Sequence, residues 1–180
     1  MNRNALISAL AQYQTSSTEE KNFIPRFLEI LKEDNCYQRS RVAGHITGSA
    51  WIITEDHQWV LMVHHRKLDK WLQPGGHADG DEDILAVAYK EAKEETGLTG
   101  INQTGNTFFD IDIHTIPAYK KTPAHEHFDI RFLFYANKNE SLIISEESKD
   151  VAWKPIVQLI RDSSIEKSIS RMALKTQKLD

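Results

Sequence analysis

The chain of 180 residues has a single cysteine, Cys36. No intrachain disulfide can form, so the fold must rest on buried apolar surface, and the composition suits a reducing compartment. No apolar run approaches the roughly 20 residues that span a bilayer. The opening stretch, Met1 to Leu10, lacks the long apolar core and cleavage site of a secretory signal. A cytoplasmic protein without a membrane segment is the expectation. Cationic residues are not in excess: 22 Lys and Arg against 26 Asp and Glu leave a net charge of −4, which disfavours nucleic acid as a partner. Internal repeats, low-complexity tracts and long linkers are missing too. The remainder, 40% hydrophobic and 27% charged, is that of an ordinary globular protein long enough for one domain and a small appendage.

Two helical stretches come first. Asn4 to Gln14 carries Leu6, Ile7, Leu10 and Ala11 at helical spacing. Ser17-Thr-Glu-Glu20 fits a capping box, and Phe23, Ile24, Phe27, Leu28 and Leu31 follow it, with Pro25 either interrupting the helix or marking its start. Residues 1–40 therefore read as a helical hairpin added to a main domain of residues 41–180. Its expected role is structural or dimer-forming.

From Val42 the pattern turns to strands. Ile46 to Thr54 and Trp59 to His65 flank a polar turn, and Trp71-Leu-Gln-Pro-Gly-Gly76 leads into an acidic segment. A helix is expected from about Asp83, with Ile84, Leu85, Ala88 and Ala92 as its apolar stripe and Gly97 just past its end. Later come an alternating strand around Phe109 to His114 and a strong strand from His127 to Ala136. A short strand is expected at Leu142 to Ile144, a short helix from Trp153, and a last helix opened by a second capping box, Ser163 to Glu166. Mixed strands covered by helices make an α+β architecture.

The acidic helix is electrostatically odd. Glu91, Glu94 and Glu95 occupy its final turns, where the helix dipole disfavours negative charge. Glu91 and Glu95 also repel at i, i+4 by roughly 0.2–0.5 kcal/mol. Carboxylates become favourable there if a hard divalent cation sits among them.

Residues 76–98 match the pattern G-x5-E-x7-R-E-U-x-E-E-x-G-U, with U aliphatic, through Gly76, Glu82, Glu91, Ala92, Glu94, Glu95, Gly97 and Leu98. By this signature the chain resembles the Nudix hydrolases, with one departure: Lys90 stands where the family has Arg. The resemblance implies a Nudix-type α/β/α sandwich over roughly 42–160 and hydrolysis of a pyrophosphate bond by water, with Mg²⁺ or Mn²⁺ as cofactor. Carried over residue by residue, Glu94 and Glu95 are the principal metal ligands. Glu91 binds metal or orients water, and the Gly75 carbonyl is a further ligand. Glu82 and Lys90 form a structural pair, weakened because lysine lacks the bidentate guanidinium fork. The general base is Glu91 or a carboxylate from a distant loop, for which Glu146 and Glu147 are candidates. The substrate is a small nucleotide-type molecule, and oxidised nucleoside triphosphates, ADP-ribose, nucleotide sugars, dinucleoside polyphosphates and capped RNA ends all fit. Helical additions often mediate dimerisation in this family, which makes a homodimer a candidate assembly.

Substrate-binding candidates come from two stretches. His64-His65-Arg66-Lys67 with Lys70 is a basic run that either reaches substrate phosphates or is a solvated hairpin tip. His77 follows the glycine loop. His127, Asp129 and Arg131 share a strand face by period two, forming a wall with Asp129 and Arg131 paired. His125-Glu-His127 also has the spacing of zinc ligands, which His77 or His114 would complete. That reading ranks second because carboxylates already account for a metal. Trp71 and Tyr119 are candidate surfaces for a nucleobase, with core packing the ordinary fate of Trp71.

Two other function classes were weighed. A Nudix-fold isomerase of isopentenyl diphosphate needs a cysteine near the glycine loop, and Cys36 is far upstream. A nucleotide-sensing module commonly loses motif glutamates, and all three are present here.

Overall fold

A computed structural model describes residues 1–103, 105–120 and 122–179. In chain order the elements are α1 (Arg3–Gln12), α2 (Thr18–Ile30), β1 (Gly44–Ile53), β2 (Trp59–His65), β3 (Lys70–Leu72), β4 (Gly75–His77), α3 (Ile84–Thr96), β5 (Asn102–Gln103), β6 (Asp110–Ile116), β7 (His125–Tyr135), β8 (Ser148–Pro155), α4 (Ile156–Arg161) and α5 (Lys167–Thr176). They form two compact units, and β1, α3 and β7 each contribute residues to both. The elements make an α+β architecture, a mixed sheet with helices, and two of the helices are N-terminal.

The first unit comprises Met1–Ser49, Gly76–Ala88 and Asn106–Phe132. Asn2 caps α1 by accepting from the Ala5 amide at 3.0 Å. Ser17 caps α2 by accepting from the Glu20 amide at 3.3 Å. The Ser17 amide donates to the Thr15 hydroxyl at 3.0 Å. Glu20 is buried and accepts from the Tyr13 hydroxyl at 2.8 Å and the Thr15 hydroxyl at 2.5 Å. Pro25 lies within α2 without ending it; its helix face is exposed, so water can satisfy the carbonyl left without a partner. Phe27 seals α2 to the sheet, meeting Phe128 edge-on at 5.4 Å. Burying such a ring stabilises by roughly 1.5–3 kcal/mol. β6 and β7 pair antiparallel, from Asp110↔Arg131 to Ile116↔His125. The alternation expected on β6 does not divide inside from outside: Asp110, Asp112 and Ile111 are all buried.

The second unit comprises Ala50–Gly75, Tyr89–Gly105 and Leu133–Asp180. β2 is its spine. It pairs antiparallel with β3 and, from Trp59↔Pro155 to His65↔Ser148, with β8, whose register shifts between His64 and His65. Trp51 is fully buried and donates its indole N–H to Thr176 on α5 at 2.8 Å. Three expectations need correction here. Leu142 to Ile144 is not a strand. Ile143 donates its amide to the Thr96 carbonyl at 2.8 Å, so this segment covers the end of α3 instead of pairing with a sheet. The Trp153 to Pro155 stretch, expected to open a short helix, belongs instead to β8, leaving α4 to begin at Ile156. Finally, α5 starts at Lys167 and not at a Ser163 cap, because Asp162 takes the Ser164 amide at 2.9 Å and hydroxyl at 2.6 Å in a local turn.

Candidate functional site

The acidic helix is set from its N-terminus inward. Asp83 accepts from the Ala86 amide at 3.1 Å and caps α3. Ile84, Ala88 and Ala92, four residues apart, are each fully buried, which fixes the helix rotation. That rotation carries Glu95 inward, leaves Glu91 half-buried and turns Glu94 outward. Gly97, at φ 74°, breaks the helix in the left-handed conformation expected at that position.

Glu95 is the electrostatic centre of the group. It is 8% exposed and accepts the Gly75 amide at 2.9 Å. Burial raises its pKa to about 7, the Gly75 hydrogen bond opposes that rise, and the neighbouring Glu91 and Glu147 charges add to it. Glu91, Glu95, Glu147 and the glycine turn therefore converge. Glu94 stands apart, exposed and 3.7 Å from Lys90. The pair expected between Glu82 and Lys90 is replaced by two others: Lys90 lies beside Glu94, and Glu82 pairs with Arg3 at 2.7 Å. Arg3 also donates to the Glu33 carbonyl at 3.3 Å and the Asp34 carbonyl at 3.1 Å. The N-terminal helix thus supplies this loop with the guanidinium that position 90 lacks.

The basic run has partners of its own. Arg66 donates to the Glu146 carbonyl at 3.0 Å and the Ser148 carbonyl at 2.6 Å, and its amide donates to the Glu147 carbonyl at 2.9 Å. Arg66 therefore pins the acidic turn carrying Glu147, where a phosphate contact was expected. Burial lowers the His65 pKa, with Glu147 opposing, and the ring accepts the Leu68 amide at 3.1 Å. Lys70 is ion-paired with Glu166. The Trp71 ring is stacked on His64 at 5.0 Å, and the Lys154 ammonium lies 3.7 Å from its centroid. Tyr119 is exposed, with the Lys120 ammonium 5.2 Å from its centroid.

Arg131 is not a substrate wall. It is 2% exposed and bonds Asp129 at 2.8 Å, Asp110 at 3.3 Å and Asp112 at 3.3 Å. Burial works against its charge, yet Asp112, Asp129 and Asp110 hold its pKa above the ordinary value. Asp129 also accepts from Thr47 at 3.0 Å and Ser49 at 2.7 Å, so the foreseen pairing of Asp129 with Arg131 sits within a buried structural network. His77 and His127 belong to a separate cluster with His45 and His125, in which one nitrogen of each ring lies within 4.8 Å of the others. Nothing local in the sequence marks His45. Cys36 is buried, and burial pushes its thiol pKa up, so it is not the poised nucleophile an isomerase would need.

The family model of the NUDIX domain matches residues 45–173. No curated protein matches the chain. Among solved structures, the chain resembles a MutT protein from Methanosarcina mazei, at TM-score 0.59 and 17% identity over 77% of this chain and 96% of the other. A NUDIX family hydrolase from Clostridium perfringens gives 0.57 and 19% over 76% and 98%. An Ap4A hydrolase from C. elegans gives 0.53 and 18% over 74% and 95%. At these identities the likeness is one of fold.

Proposed function

The chain belongs to the Nudix family of pyrophosphohydrolases, and we propose that it hydrolyses a small nucleoside diphosphate derivative at a site built from the Gly75 carbonyl, Glu91, Glu94, Glu95 and Glu147. The observation that carries this reading is Glu95, buried against the Gly75 amide with Glu91 and Glu147 close enough to raise its pKa. The donor set fits Mg²⁺ or Mn²⁺. It is all oxygen, as hard cations require, and its mutual repulsion is what a cation would relieve.

A cation bound there would neutralise phosphate oxygens and acidify a coordinated water. The protein's own contribution is positioning. The Gly75 amide fixes one Glu95 oxygen. Arg66 holds the turn of Glu146 and Glu147 by its carbonyls, keeping an exposed carboxylate at the rim. We assign Glu147 as the base that takes the proton from water, with Glu91 as the alternative carrier. Among the tentative substrate contacts, His65 is retained, since it faces Glu147. Glu94 acts from the solvent side after leaving Lys90.

In this reading residues 1–40 extend a cytoplasmic Nudix domain of residues 41–180 and offer the surface for a homodimer, which sedimentation velocity would detect. Among the described residues no helix is long and apolar enough to cross a membrane. The test of function is a panel of ADP-ribose, nucleotide sugars, dinucleoside polyphosphates and nucleoside triphosphates, each with Mg²⁺ or Mn²⁺, run in ¹⁸O-water. Cleavage with label in a phosphate product is expected, and Glu147→Gln should lower kcat more than Glu91→Gln. Silence across the panel would overturn the assignment of substrate class.

A further inference from the structure

We propose that His45, His77, His125 and His127 bind one divalent transition-metal ion, and that the ion is Zn²⁺. The four residues come from three strands of the first unit: His45 from β1, His77 from β4, and His125 and His127 from β7. His45 is central. Its ring centroid lies 5.1 Å from His77, 5.1 Å from His125 and 4.9 Å from His127, while His77 and His127 are 5.0 Å apart. Each ring offers a nitrogen within 4.8 Å of all the others. A tetrahedron with that edge has its corners roughly 2.9 Å from the centre, so closure onto a Zn–N bond of about 2.0–2.1 Å needs each ring to move by less than about 1 Å.

Two observations separate this cluster from a packed set of core histidines. First, buried ring nitrogens on two of the four residues are poorly satisfied. The His127 Nε2 is buried with no hydrogen-bond partner, and apart from the Arg41 backbone group beside it none meets either ring nitrogen of His45. Leaving buried polar atoms unsatisfied is destabilising, and a metal ion accepting their lone pairs would relieve it. Second, His125 is oriented as a ligand is. Its Nδ1 lies 2.9 Å from the Pro123 carbonyl, which can only accept, so Nδ1 carries the proton and Nε2 presents its lone pair. Metal-bound histidines are commonly fixed by such a carbonyl.

The donor chemistry names the ion. Four imidazoles with no carboxylate suit Zn²⁺ and its transition-metal neighbours, and they are poor ligands for Mg²⁺ or Ca²⁺. Arg39 and Asp79, whose charges act on His77 in opposite directions, pair with each other. His114, which rests edge-on to His127 at 5.5 Å, bonds Asp112 at 3.2 Å and is not one of the four. An ion here would tie β4, which begins at Gly75, to β1 and β7, holding the strand that leaves the glycine turn.

The test uses the full chain stripped of metal by chelation. Calorimetric titration with Zn²⁺ should show one site that Mg²⁺ does not compete for, with a rise in Tm on binding. Zinc-edge X-ray absorption of the loaded wild type should show nitrogen scatterers of imidazole character and no sulfur. Co²⁺ in place of Zn²⁺ should give the visible bands of a tetrahedral site. His45→Asn and His127→Gln should each weaken Zn²⁺ binding at least tenfold, while Glu91→Gln/Glu95→Gln should leave it unchanged. Absence of a Zn²⁺ site, a sulfur or all-oxygen shell, or binding lost only with the glutamates would overturn the proposal. The absorption measurement needs no variant, so a histidine substitution that fails to fold does not rescue it.

Discussion

Replacing Glu95 by Gln removes a charge whose cost can be worked out. Burial, with Glu91 and Glu147 adding to it, raises the Glu95 pKa from 4.5 to about 7. A group whose folded pKa lies above its unfolded value binds its proton more tightly when folded. Its contribution to stability is therefore present below pH 4.5 and is lost as pH rises through about 7. At 1.36 kcal/mol per unit, the metal-free protein above that window carries a penalty on the order of 3 kcal/mol from this one carboxylate. Glutamine has nearly the same shape, and its carbonyl oxygen can still accept the Gly75 amide. The variant should thus match wild type at low pH and become more stable than it as pH rises.

The assay is urea unfolding of metal-free wild type and Glu95→Gln across the interval from acidic to mildly alkaline pH. All other titrating groups are common to both proteins and cancel in the difference. The gap should grow by roughly 2–3 kcal/mol and then level off. Added Mg²⁺ should stabilise wild type and close part of the gap while doing little for the variant, and turnover of the variant should fall more than tenfold. A gap that does not change with pH would refute the electrostatic reasoning. A Mg²⁺ response equal in both proteins would refute the role of Glu95 at the cation site.

Three further outcomes follow from other contacts. Arg131→Met leaves Asp110, Asp112 and Asp129 buried without their cation and should cost about 3–5 kcal/mol in denaturant unfolding; a loss below about 1 kcal/mol would show that the network relaxes freely. Gly48→Ala places a methyl 2.8 Å from the Ile84 carbonyl oxygen, against the first turn of α3, and should lower stability by about 1–3 kcal/mol as read from the urea midpoint. Arg66→Met removes both side-chain bonds that hold the acidic turn, so kcat should drop several-fold with Tm nearly unchanged; an unaltered kcat would place Glu147 outside the reaction.

The legible parts of this chain are those in which local spacing and tertiary placement obey one rule. Glu91, Glu95 and the stripe of Ile84, Ala88 and Ala92 share a helix, so 3.6 residues per turn suffices to turn Glu95 inward and Glu94 outward. β2 reads cleanly because its apolar run is closed by polar turns. Where a competing contact outbids the expected one, the reading slips. Ser163 looks like a cap, but Asp162 claims the turn first. Arg66 looks like a free cation, but three carbonyls of the acidic turn face it. Arg131 looks like a binding residue on an alternating strand. However, alternation separates inside from outside only when one face meets water, and β7 is buried on both faces through Phe132.

The histidines show the same limit from the other side. His125 and His127 are two residues apart on one strand, so period two alone puts their rings on one face. His114 is the partner that antiparallel register supplies, opposite His127 on β6, and a reader with strand positions alone selects it. The structure selects His45 and His77 instead, because β1 lies next to β7 and β4 pairs with β1. Those neighbours are 80 and 50 residues from His125 and His127 in round terms, set by strand order and not by spacing. Carboxylates that share one helix are placed together by its spacing, whereas a cluster drawn from three strands requires the sheet order first. His45, at the buried start of β1, has no feature of its own that distinguishes it from a core residue until its three neighbours are in place.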